Sequence, residues 1–145
     1  MRDSKAARRN TAALVLVLVL ATAYYLFVQQ GAPTFRYSPQ ERVFVLGGAK
    51  RTQAAFSMDG LTSLELYEGG DYGAALEGNR LSLSGVRYGV WESESLGTYE
   101  AFYSEKTAVT IVARDTQKTA VFNIADEDTT RALYAELAAL WHDVR

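Results

Sequence analysis

The hydrophobic pattern of this chain changes character twice. From Ala12 to Val28, "AALVLVLVLATAYYLFV", apolar residues run almost unbroken, and no charged residue occurs between Arg9 and Arg36. Such a run predicts a helix that is apolar on every side. A helix over Thr11 to Val28 would rise about 27 Å, close to a hydrocarbon core of roughly 30 Å. The expected organisation is a basic cytoplasmic tail (1–10), a transmembrane helix (11–28) and a short linker (29–34). Arg8 and Arg9 would hold the cytoplasmic interface and Tyr24 and Tyr25 the outer one, placing the domain that follows outside the cell on a single-pass anchor. Ala21-Thr22-Ala23 also fits a signal-peptidase site. Because apolar residues continue for five positions beyond Ala23, a retained anchor is the preferred reading over cleavage.

From Phe35 onward apolar residues alternate with polar ones, the period of half-buried strands. "ERVFVL", "RTQAAFSM" and "LTSLELY" read as three strands, the last two separated by Asp59-Gly60, a strong hairpin signal. Glu68 to Asn79 reads as a loop with a short ordered piece at Ala74 to Leu76. "RLSLSGVRYGVWESESLG" reads as bent strand around Gly85 and Gly89, where glycine permits a bulge or corner. "TYEAFYS", "AVTIVA" and "TAVFNI" complete about seven strands. The period then becomes helical: Asp126 or Asp128 supplies an N-cap, and Leu133, Leu137, Leu140, Trp141 and Val144 form an apolar stripe. The expected fold is therefore mainly β, a small antiparallel barrel capped by a C-terminal α-helix and preceded by the transmembrane helix.

The segment from Gly78 to Leu137, with Gly85, Gly89, Gly97, a valine-rich strand before a polar turn and an acidic helix cap, resembles the bacterial PH-like (pleckstrin homology-like) domains of short membrane-tethered proteins. The resemblance extends over Phe35 to Trp141 and departs from the family where Ala125-Asp126-Glu127-Asp128 lacks a proline. It implies a PH-like domain over 35–145 and a binding or scaffolding role rather than catalysis.

Charge and chemistry narrow the function. The first ten residues carry net +3, leaving −5 on the remainder of a chain of net −2. An acidic domain is a poor partner for nucleic acid or anionic lipid, and the first hairpin offers only Lys50 and Arg51 for a phosphoinositide, so neither ligand is expected. Without cysteine there is no disulfide, thiolate metal site or cysteine nucleophile. The single histidine, His142, lies near the C-terminus, an unsuitable base for a catalytic triad. Lys50, Lys106 and Lys118 fall in turns and read as solvated charges. Asp126-Glu127-Asp128 has the composition of a helix cap rather than the alternating ligands of a calcium loop. "GGDYG" (69–73) lacks the spacing and lysine of a phosphate loop. No cofactor is expected.

What remains is aromatic. Tyr88, Trp91, Tyr99, Phe102 and Tyr103 crowd together beside Arg87, Glu92 and Glu94, and on alternating strands they cannot all face one core. Most of these rings read as core, and exposure of one at the surface, as in protein–protein hot spots, is the alternative from which a partner site is read. Arg87, Tyr88, Trp91, Glu92, Glu94 and Tyr99 are accordingly the expected partner-binding residues, with a protein partner at the membrane. Two alternatives stand beside this tethered interaction module: a secreted solute- or wall-binding domain released at Ala23, and a hydrolase using Glu92 and Glu94.

Overall fold

The computed structural model describes residues 2–29, 32–48, 53–69, 74–77 and 85–143. Helix α1 (Arg2–Gln29) opens the chain. A meander of β1 (Thr34–Ser38), β2 (Val43–Gly47) and β3 (Gln53–Ser57) forms a three-stranded antiparallel sheet. After a 3₁₀ turn at Met58–Gly60 come β4 (Ser63–Glu68), β5 (Ala74–Glu77), β6 (Val86–Ser93), β7 (Gly97–Ser104), β8 (Val109–Arg114) and β9 (Thr119–Phe122). These make a six-stranded sheet of order β4-β8-β9-β7-β6-β5. Helix α2 (Glu127–His142) ends the described chain.

The architecture corrects the expected barrel. Among the described residues there are two separate sheets, and the larger one has no further strand beyond β4 or β5. Asp59-Gly60 does not close a hairpin: both residues lie in the 3₁₀ turn, and β3 and β4 enter different sheets. The local turn signal was sound, but it cannot specify whether the flanking strands pair. Nor is the large sheet wholly antiparallel, since β7 and β9 run parallel from Glu100↔Ala120 to Phe102↔Phe122. The α2 boundary matches the sequence reading, with Asp126 as N-cap accepting a 2.8 Å bond from the Thr129 N–H.

Among the described residues no helix is long and apolar enough to cross a membrane. This overturns the expected single-pass anchor at 11–28, together with its cytoplasmic N-terminus and outward-facing domain. The side chains of Tyr24 to Val28, on which the spanning length and the outer interface rested, lie outside the described residues. Arg8 and Arg9 are exposed on α1, which also begins within the segment expected to be a tail.

Alternation in each strand supplies the core. One face of the large sheet contributes Val86, Tyr88, Phe102, Ile111, Ala113, Ala120 and Phe122 to a cluster closed by Phe44, Leu46 and Phe56 of the small sheet and by Leu133 and Leu137 of α2. Phe44 stacks on Phe56 at 5.3 Å, and Phe35 on Phe122 at 6.2 Å. The opposite face carries a second buried cluster: Trp91, Leu96, Tyr99, Ala101, Tyr103, Val112 and Val121. A sheet with apolar layers on both faces explains β8, where five consecutive residues from Val109 to Ala113 are buried.

Candidate functional site

The expected partner-binding residues converge on the β6–β7 hairpin, whose register runs without interruption from Val86↔Ser104 to Ser93↔Gly97. Gly89 pairs with Ala101 inside that regular ladder at φ 95, a value glycine adopts freely, so it makes no bulge. Trp91 lies opposite Tyr99, and Arg87 opposite Tyr103, all on the face of the second cluster. Tyr88 belongs to the other face, where its ring fits against Gly48 so closely that a Cβ there would lie 1.9 Å from a ring carbon.

Burial places these rings in the core and removes the alternative of an exposed one. Trp91 is 2% exposed, Tyr99 1% and Tyr88 6%. The indole Nε1 donates to the Tyr88 carbonyl oxygen at 3.3 Å, so Trp91 enters the interior with its polar atom satisfied. These three aromatics are core residues that position the hairpin. The charged members stay near the surface. The Arg87 guanidinium carbon sits 4.5 Å from the Trp91 ring centre, and Nη2 pairs with Glu105. Its Nε is enclosed and makes no hydrogen bond, leaving the ring and Glu105 to hold the cation.

The hairpin tip is similarly fixed. Leu96 donates its N–H to Ser93 Oγ at 3.0 Å and buries its side chain in the second cluster. Gly97, at φ 69, returns the chain into β7. Glu92 and Glu94 are both exposed, but Glu92 is on β6 and Glu94 lies beyond its last residue, in the turn. The two carboxylates therefore do not share one strand face, the arrangement the hydrolase reading required.

A second charged group, not anticipated from the sequence, lies at the other rim of the sheet. Lys118 sends Nζ to Asp115 at 3.0 Å and places it 4.6 Å from the Phe56 ring centre. It is thus packed between sheets, whereas its turn location suggested a free solvated lysine. Burial raises the Glu100 carboxyl above its ordinary range, against a smaller opposing pull from Lys118. Burial also pushes Asp115 up, but bonds from the Gln117 and Lys118 N–H groups and the Lys118 ammonium outweigh it and hold the carboxyl low. A hydrophobic strand followed by a polar turn in the sequence signals the hairpin, but not which ring its lysine covers.

His142 is exposed at the end of α2, with its ring centre 5.7 Å from that of Trp141. Asp126 is held low chiefly by the Thr129 N–H it caps. Among the described residues no three His, Asp or Glu side chains are grouped to hold a metal ion. Lys50, Arg51 and most of "GGDYG" lie outside the described residues. No family model, curated protein or solved structure matches this chain.

Proposed function

We propose that the β domain is a protein-interaction module without catalytic chemistry, and that the β6–β7 hairpin is the element it presents. One observation carries the reading: the buried Trp91, Tyr99 and Leu96 immobilise a hairpin whose charged groups, Arg87, Glu92 and Glu94, remain near or at the surface. Charges on a fixed frame lose little freedom when a partner docks, and this lowers the entropic cost of recognition. Their mixed sign favours a partner with complementary charges and governs encounter more than final affinity. The aromatic residues act beneath the surface, so recognition falls to Arg87, Glu92 and Glu94.

A photo-crosslinking residue at position 95 of the full chain, in place of the exposed Ser95 beside Glu94, tests this in cells. The expected result is a discrete protein adduct that is lost in the Glu92→Lys/Glu94→Lys double variant, while that variant retains the parent melting curve. Adduct formation indifferent to charge reversal would sink the assignment. So would hydrolytic turnover by the purified chain that disappears in Glu92→Gln or Glu94→Gln, because those carboxylates would then be doing chemistry.

A further inference from the structure

Among the described residues the two outer strands of the small sheet, β1 and β3, each pair with β2 alone. The outer main-chain edge of neither bonds to any described residue. An unpaired edge is a template for another strand unless a charge, proline or bulge guards it. β1 has that guard: Arg36 is exposed at its centre. At the ends of the large sheet, β4 carries Glu65 and Glu68, and β5 carries Glu77. Only β3 among the four has no charged residue. Its sequence is Gln53-Ala54-Ala55-Phe56-Ser57, with Gln53, Ala55 and Ser57 exposed and Ala54 and Phe56 turned into the core.

We infer that β3 pairs antiparallel with β3 of a second copy, about a two-fold axis through Ala55. This register sets Ala55 against Ala55, Gln53 against Ser57 and Ala54 against Phe56, and joins two small sheets into one of six strands. Nothing in it opposes like charges, and the smallest exposed residue lies on the axis, where two copies approach most closely. The same operation on β1 would oppose Arg36 to Arg36. The occupant is therefore a second copy, because the neutral edge is complementary to itself. A strand of five residues covers far less than the roughly 1,000 Å² of a stable interface, so the dimer is weak and concentration-dependent.

The absence of cysteine from the chain makes the test specific. Under mild oxidation of the full-length protein, Ala55→Cys should form a disulfide dimer, since directly opposed strand residues fall within the Cα separation a disulfide needs. Arg36→Cys on β1 should remain monomeric under the same conditions. In sedimentation velocity Ala55→Lys should weaken association about fivefold, through one opposed lysine pair, without moving the melting temperature. Monomer at every concentration would overturn the inference. Association untouched by Ala55→Lys would also overturn it, by placing the contact on another surface such as the exposed apolar residues Leu14 to Leu20 of α1. A mixed disulfide between Ala55→Cys and Arg36→Cys would replace the closed dimer with open-ended β1-to-β3 pairing.

Discussion

The two faces of the six-stranded sheet are both buried, but they are built from different chemistry. The face toward the small sheet is closed by phenylalanines, with Phe35, Phe44, Phe56 and Phe122 in a chain of ring contacts between 5.3 and 6.2 Å. The opposite face uses Trp91, Tyr99 and Tyr103, rings that carry polar atoms, and anchors a cation over one of them. Phenylalanine rings pack without regard to polar partners, whereas the Trp91 indole is placed where its N–H reaches the Tyr88 carbonyl oxygen. The first face thus holds the sheets together, and the second fixes the orientation of the hairpin that bears the surface charges.

Removing a large ring from either layer tests whether both are true cores. Phe122→Ala and Trp91→Ala should each cost about 3 to 5 kcal/mol in denaturant unfolding. The burial of Trp91 makes its loss primarily a stability defect, with any loss of partner capture following from it. A cost for Trp91→Ala below about 1 kcal/mol, at unchanged cost for Phe122→Ala, would mean the second face is not a closed layer.

That second layer is also where sequence reasoning and structure part. Alternation in "VRYGVWES" correctly separates Tyr88 from Trp91, since they point to opposite faces. The inference of an exposed ring followed only from assuming a single core, and burial on both faces removes it. Elements with strong local signals were legible: α2 has a cap and a stripe, and β6 to β9 have clear patterning. β1 gives no clear sequence signal because its five residues are only half-buried in alternation around Arg36, while β5, four residues in a glycine-rich stretch, reads only as a short ordered piece. Pairing between distant strands, including parallel β7 and β9, depends on tertiary contacts that no local period encodes.

A smaller effect is expected where the strands that separate the two layers are tied together. The Asn123 amide donates to the carbonyl oxygens of Ser104 and Val109 at 3.1 and 3.2 Å and accepts from the Ser104 N–H at 2.8 Å. It joins the ends of β7, β8 and β9 at a position only 1% exposed. Asn123→Ala strands these groups and should cost about 1 to 3 kcal/mol. Hydrogen exchange should show the loss concentrated at Phe102 to Val109; uniform destabilisation would argue against a local clamp.

Less still is expected from the cation on the outer face. Arg87→Met keeps an apolar stem over Trp91 but removes both the guanidinium and its pairing with Glu105. Partial exposure limits the change to about 1 kcal/mol. Here stability and recognition should separate: melting changes little, yet crosslinking from position 95 falls. If crosslinking is unchanged in a folded Arg87→Met protein, the recognition surface excludes Arg87.

The smallest effects lie at the phenylalanine rim, where Glu100 and Asp115 share Lys118 but shift in opposite directions. Asp115 is held below its ordinary 3.8, so it stabilises the fold above that value, and its contribution is lost as pH falls through the lower folded-state pKa. Glu100 is raised above 4.5; the folded state binds its proton more tightly, and its contribution declines as pH rises from 4.5 through the folded-state value. Asp115→Asn should therefore lower stability at neutral pH and flatten the decline on the acid side. Glu100→Gln should leave that acid decline in place and remove the loss above 4.5, making the variant slightly more stable than the parent at pH 7. Unfolding free energies measured from pH 3 to 7 distinguish the two. Parallel pH profiles for both variants would mean that burial does not govern Glu100 and that this rim, unlike the hydrocarbon layer behind it, is open to water.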